Sequence, residues 1–125
     1  MKSSALAISS LGMPDEVRAV LRCSNLRQGY IDAVACRLAV SGSTLRRRLD
    51  AHGTSFGELL KQERIRRVKL ALADNPNLRG KAIAADLGYL ELTSFYRAFF
   101  DWFGVTFSEY KKAKSAAART ARADT

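Results

Sequence analysis

LGYLELTSFYRAFFDWFGVTFSEY, residues 87–110, decides the fold, because residues 38–59 carry the same pattern in imperfect form. Val34, Ala35, Leu38 and Ala39 return as Ile83, Ala84, Leu87 and Gly88 at an offset of 49. Ser43, Leu45, Arg47 and Leu49 return as Thr93, Phe95, Arg97 and Phe99 at 50. Gly53, Ser55, Phe56 and Glu58 return as Gly104, Thr106, Phe107 and Glu109 at 51. Single-residue drift of this kind changes turn lengths and keeps the helical parts in phase. Repetition at such a period marks one supersecondary unit made twice. Two copies make a pair of subdomains and not a solenoid.

The whole chain sets the bounds. Its 125 residues suit one domain or two very small ones that share packing, since a unit of roughly 50 residues is marginal alone. Lys and Arg number 21 against 12 Asp and Glu, a formal net charge of +9, which is the footprint of a polyanionic partner. Only Pro14 and Pro76 interrupt the chain, so long helices are permitted. No run approaches the roughly 18 apolar residues of a membrane span. The opening MKSSALAISSLGM lacks the solid apolar block of a secretory signal, so the expected location is cytoplasmic and nucleoid-associated.

Catalytic and metal chemistry find little support. Cys23 and Cys36 form no CxxC pair, and the single His52 cannot complete a four-ligand zinc site with them. Both thiols read as small apolar helix residues. No phosphate-cradling glycine loop and no recognisable Ser, His and Asp set is present. The expectation is therefore a non-enzyme with no cofactor.

Local signals divide the chain into helices. Pro14 followed by Asp15 and Glu16 reads as a helix start reaching about Ser24, with Val17, Val20 and Leu21 inward. Asn25 to Tyr30 reads as a turn, after which Asp32 can cap a short helix carrying Val34, Ala35 and Leu38. Ser41 or Gly42 opens a helix from Ser43 to about His52, closed by Gly53. Ser55 with Glu58, and Thr106 with Glu109, have the three-residue spacing of a capping box. The first box opens a connector helix to about Ala73, on which Phe56, Leu59 and Leu60 lie nearly opposite Ile65, Val68 and Leu72. One helix serving two cores accounts for this wheel; a curved helix in one continuous core gives a similar one. Lys81 to Leu87 and Glu91 to Phe103 read as the second pair of helices, and Thr106 to about Lys112 as the last. KKAKSAAARTARADT, at the end, has no branched or aromatic anchor and reads as a frayed basic tail.

The two central helices carry the chemistry. Phe95, Phe99, Trp102 and Phe103 follow the spacing of an apolar core stripe, and Thr93, Tyr96, Arg97 and Phe100 lie opposite. In the earlier copy Ser43, Arg46, Arg47 and Asp50 lie opposite Leu45 and Leu49. A short helix, a tight turn and a second helix with an exposed polar face is the layout of a helix-turn-helix. An arginine on such a helix can bond guanine O6 and N7 together, and Ser43 or Thr93 can meet phosphates or base edges. Arg48 falls off that face and is assigned to phosphate or solvent. Tyr96 and Phe100 can touch thymine methyl groups or pack on a protein partner. Arg64, Arg66, Arg67 and Lys69 on the connector read chiefly as surface ion-pairing residues with Glu58 and Glu63.

LGYLELTSFYRAFFDWFGVTFSEYKK and RLAVSGSTLRRRLDAHGTSFGELL together resemble the two motifs of the AraC/XylS transcriptional regulators, from about Pro14 to Lys112. The resemblance implies an all-α fold of about seven helices, two helix-turn-helix subdomains joined by a long connector, that places two recognition helices in successive major-groove faces of double-stranded DNA. It also implies transcription activation through RNA polymerase, with any effector acting only through a domain absent from this chain. The family's base-facing positions fall on Ser43, Arg46 and Arg47, and on Leu92, Thr93, Tyr96 and Arg97. Thr44, Arg48, Ser94, Lys111 and Lys112 are assigned to phosphates or their vicinity.

Departures from the family pattern are few. Phe100 and Asp101 stand where basic residues are usual, Phe107 replaces a proline, and Arg79 and Gly80 replace a capping serine and an apolar residue. The expected organisation is a flexible segment over 1–13, a first subdomain over 14–54, the connector over 55–73, a second subdomain over 74–113 and a basic disordered tail over 114–125. Three other readings share these residues: a module that binds RNA polymerase or an antagonist, a nonspecific nucleoid binder, and a DNA-repair transferase, which would need a reactive-cysteine motif.

Overall fold

The computed structural model describes residues 12–26 and 31–123, with side chains described as far as residue 117. The expected flexible segment before Gly12 and most of the expected turn at Asn25 to Tyr30 lie outside the described residues. Among the described residues there are seven helices and no strand: α1 (Met13–Cys23), α2 (Ile31–Arg37), α3 (Gly42–Ala51), α4 (Phe56–Asp74), α5 (Gly80–Asp86), α6 (Leu92–Phe103) and α7 (Phe107–Ala123). The chain divides into two compact units, residues 1–64 and 65–125, and the boundary falls inside α4.

In the first unit Pro14 occupies the first turn of α1, with Asp15 and Glu16 beside it. That turn needs no amide from proline, and its dipole favours acids. Helix α1 packs on α2 and α3, which pack on each other. Val17, Leu21, Val34, Leu45 and Leu49 on these helices are buried, as is Leu59 on α4. Ser41 caps α3: its hydroxyl accepts the Thr44 amide at 3.1 Å, satisfying a donor that the first helical turn leaves open. Asp32 lies within the first turn of α2, and its carboxylate sits where a Cβ on Gly42 would be, 2.6 Å away. Only glycine fits there without moving Asp32.

The second unit repeats this arrangement. Val68, Leu72, Ile83, Ala84, Leu87, Phe95, Phe99 and Phe107 are buried, and α5 packs on α6, which packs on α7. Val68 and Leu72 follow Val17 and Leu21 at an offset of 51. The C-terminal half of α4 therefore stands in the second unit where α1 stands in the first. The N-terminal half, with buried Leu59, stands where α7 does. This explains the two apolar sides of the connector. Glu63, which the sequence reading placed among surface pairs, is buried at 6% exposure and has its interaction partners within the fold. Arg64, Arg66 and Arg67 are half-buried and likewise engaged.

Aromatic packing distinguishes the second core. Phe99 meets Phe103, Phe107 and Tyr110 at centroid distances of 4.4, 5.3 and 5.3 Å, and Phe95 meets Phe107 at 5.6 Å. Such tilted and edge-on pairs each contribute about 0.5–1.5 kcal/mol beyond the area they bury. Trp102 and Phe103, expected in the core stripe, are half-buried and not enclosed. They sit in the last turn of α6, where the stripe reaches the edge of the unit.

Helix ends follow the expected turn chemistry. Gly53 and Gly104 adopt φ of 73° and 74° behind α3 and α6, the left-handed region glycine enters without a Cβ penalty. One expectation is corrected. The basic tail placed over 114–125 is not unstructured throughout, because α7 continues to Ala123. Nucleation has already been met at Thr106, and SAAARTARA adds residues of high helix propensity one at a time. Lack of an apolar anchor leaves this stretch exposed as far as Ala117, except at half-buried Ser115, without unwinding it.

Candidate nucleic-acid interface

Each unit builds the same helix pair. Helices α2 and α3 are joined by Leu38 to Ser41, and α5 and α6 by Leu87 to Glu91. In the first turn the Val40 amide donates to the Ala35 carbonyl at 3.0 Å and the Ala39 amide to Cys36 at 3.1 Å. In the second, Tyr89 donates to Ala84 at 2.9 Å and Gly88 to Ala85 at 3.2 Å. These are the two crossed bonds of a Schellman ending. They require a left-handed residue, which is Gly88 at φ 89° in one turn and Ala39 at φ 60° in the other.

Burial of Leu45 and Leu49 turns the opposite side of α3 outward, with Ser43, Arg46, Arg47 and Asp50 exposed on it, and Arg48 is exposed beside that face. Thr44 is half-buried and takes part in the cap, receiving a hydrogen bond from the Ser41 hydroxyl at 2.9 Å. Its hydroxyl accepts there and keeps its own proton to donate. In α6 the burial of Phe95 and Phe99 exposes Leu92, Thr93, Ser94, Tyr96, Arg97 and Phe100. Leu92, assigned from family resemblance alone, is 37% exposed at the first turn.

The start of α7 forms the second box in full. The Thr106 amide and hydroxyl donate to Glu109 Oε1 at 2.9 and 3.0 Å, and the Glu109 amide donates to Thr106 Oγ1 at 3.1 Å. The Thr106 amide first, then its hydroxyl, and more weakly Lys112, hold the Glu109 carboxyl below its ordinary range against a smaller desolvation effect. The first box forms only its hydroxyl half. Glu58 donates its amide to Ser55 Oγ at 3.1 Å, while its carboxylate accepts from Gln62 Nε2 at 3.2 Å. Lys111 is half-buried with Nζ 5.4 Å from the centroid of the Phe107 ring, and Lys112 is exposed one residue on. Helix α5 begins at Arg79 with no side-chain cap, as its missing serine implies.

Tyr96 has a neighbour the sequence did not disclose. A Cβ built on Gly80 would lie 2.5 Å from Tyr96 Oη and 2.8 Å from Cε1. The hydroxyl end of the ring therefore rests against the start of α5, filling the place an ordinary side chain at residue 80 would take. Ring contacts to Phe95 and Phe107 at 5.6 and 5.7 Å complete its seat. The glycine at 80 was visible as a departure from the family pattern; its consequence needed the fold.

Cys23 and Cys36 are free and exposed, so neither supports the core as a small apolar residue would. Among the described residues no cluster of His, Cys, Asp and Glu could hold a metal ion, and no helix is long and apolar enough to cross a membrane.

Comparison with known proteins agrees with this geometry. The helix-turn-helix domain family matches residues 34–113. An uncharacterized HTH-type transcriptional regulator of Mycobacterium tuberculosis is 40% identical over 93 residues, which are 74% of this chain and 26% of that protein. The HTH-type transcriptional activator CsvR of Escherichia coli is 32% identical over 92 residues, 74% of this chain and 34% of its own length. The chain thus spans about a third or less of these curated relatives. The crystal structure of the transcriptional regulator CdpR from Pseudomonas aeruginosa superposes with a TM-score of 0.74 at 36% identity, over 81% of this chain and 32% of that one. A DNA-binding transcriptional dual regulator from Escherichia coli K-12 does so with a TM-score of 0.74 at 26% identity, over 82% of this chain and 97% of that one. Its relatives are regulators of transcription and not enzymes, and the chain belongs to the AraC-type helix-turn-helix transcriptional regulators.

Proposed function

We propose that this chain binds double-stranded DNA sequence-specifically through α3 and α6, each placed in a major groove, and that it activates transcription. The observation that supports this most is the repeated helix pair, in which burial of one face of α3 and of α6 presents Ser43, Arg46 and Arg47, and Leu92, Thr93 and Arg97, together on the other. Guanidinium groups on such helices read guanine edges, and hydroxyls meet phosphates or bases. Thr44, Arg48, Ser94, Lys111 and Lys112 flank these faces and serve phosphates.

The first motif supplies most of the base reading, since Arg46 and Arg47 are both exposed on α3 while α6 offers Arg97 beside Phe100 and Asp101. RNA polymerase is the proposed protein partner, supported by the relative named as an activator. Any effector acts through a domain outside these residues, for which the greater length of the relatives leaves room. The site of action is the nucleoid.

Selection of duplexes from a random library of about 25 base pairs at near-physiological salt tests the reading. Two enriched blocks about one helical turn apart are expected; no enrichment would sink it in favour of a nonspecific or protein-binding role. Arg47→Ala is expected to relax specificity more than Arg97→Ala on the selected site. Equal losses would refute the dominance of the first motif.

A further inference from the structure

Beside each proposed recognition helix lies a cleft built from equivalent residues. In the first unit Ile31, Arg46, Asp50, Ser55, Phe56 and Gly57 line about 330 Å³. In the second, Tyr96, Phe100, Thr106, Phe107 and Ser108 line about 450 Å³. Arg46 and Tyr96, Asp50 and Phe100, and Phe56 and Phe107 are partners in the internal repeat. The same fold thus makes the same cleft twice: Arg46 and Asp50 stand beside Ile31 and Phe56 in the first, and aromatic side chains wall the second.

We propose that the second cleft is a specificity element for thymine, its aromatic walls receiving the 5-methyl group of a thymine in the block read by α6. This rests on the reading that α6 enters the major groove. Three features favour a base over any other apolar group. Phe100, at 51% exposure, and Tyr96, at 40%, share one stripe of α6 with Thr93 and Arg97, so the cleft opens on the side proposed to face base edges. Ser108 joins it to a polar cleft of about 290 Å³ lined by Lys111, Lys112 and Ser115, where two ammonium groups suit the phosphate of the same strand. A methyl group is also the one apolar feature that the major groove presents, and only thymine presents it.

Gly80 is the positioning residue. Ile31, which lines the first cleft, has Gly80 as its partner in the internal repeat. With no side chain there, the Tyr96 ring lies back on the start of α5, which makes it a wall of the cleft. The sequence leaves Tyr96 and Phe100 open to thymine methyl groups or to a protein partner; the cleft they share favours the methyl group. The first motif, with Arg46 and Asp50, reads hydrogen-bonding edges; the second adds a methyl group that such edges cannot report.

The test uses the full chain and its selected duplex, with each thymine replaced singly by deoxyuridine, which removes only the methyl group. A loss of about fourfold in affinity is expected at a thymine in the α6 block, the fold-change for one buried methyl, with none in the α3 block. Phe100→Ser changes an exposed residue, and it is expected to erase the difference between thymine and uracil while leaving the melting curve in place. Uniform indifference to uracil with both blocks still protected would overturn the proposal and leave the two-helix reading standing. Loss of the α6 block from the footprint of the wild-type chain would overturn both. A Phe100→Ser chain that keeps the uracil penalty and loses activation with purified RNA polymerase would overturn it in favour of a protein-docking cleft.

Discussion

Ala39→Gly is expected to stabilise the first unit. Ala39 holds φ 60° in the turn between α2 and α3, where the second unit places Gly88 at φ 89°. Both turns make the same crossed backbone bonds, so the conformation is imposed by the helix pair and not by the residue. An L-residue in the left-handed region costs about 1–2 kcal/mol, and the greater freedom that glycine loses on folding offsets roughly 0.5–1 kcal/mol. Ala39 is exposed, so no buried methyl is given up. The net gain is about 0.5–1 kcal/mol, or a rise of about 2–8 °C in Tm for a unit of some 60 residues. Gly88→Ala should lose a comparable amount in the second unit. Urea denaturation followed by circular dichroism measures the overall change, and protection of the α2 and α3 amides against hydrogen exchange locates it. A midpoint that falls or stays constant in Ala39→Gly, or a neutral Gly88→Ala, would refute the argument from left-handed strain.

Phe99→Ala removes a fully buried ring with three close aromatic neighbours. It should cost about 3–5 kcal/mol, and the fluorescence of Trp102, the single tryptophan, should report loss of the second unit under conditions where wild type is folded. Thr106→Ala removes both hydrogen bonds of the Thr106 hydroxyl, leaves the Thr106 amide bonded to Glu109, and should cost about 1 kcal/mol in thermal or urea melts. The lowered Glu109 pKa means that its contribution is complete above its ordinary value of 4.5 and is lost as pH falls through the lowered value. Stability measured across that acidic window should therefore decline less in Thr106→Ala than in wild type. Gly80→Ala should displace the Tyr96 ring from α5, seen as a shift of Tyr96 ring resonances in NMR spectra. Unchanged resonances would show that the ring does not rest on residue 80.

Much of the fold was legible because its signals are local. The capping residues at Ser55 and Thr106, the glycines behind α3 and α6, and the apolar spacing of Leu45 and Leu49 or Phe95 and Phe99 each act within a turn or two. The internal repeat then showed that the same device occurs twice, and the outward faces of α3 and α6 followed from the inward ones. The length of α7 does not show in its apolar spacing, because alanine propensity extends a helix that has no anchoring side chain. The burial of Glu63 does not show in the sequence, because it stands among polar neighbours in the middle turns of α4 and only tertiary packing encloses it.

Sequence alone determined the all-α class, the two helix-turn-helix units and which residues of α3 and α6 turn outward, since periodicity and caps depend on neighbours three or four positions away. Only the tertiary structure decided that Tyr96 rests on Gly80, that Phe100 and Phe107 leave a cleft between them, and that Thr44 serves its own cap. Those contacts join residues on different helices, and the distance between such residues is set by how buried side chains pack, a quantity no local pattern contains.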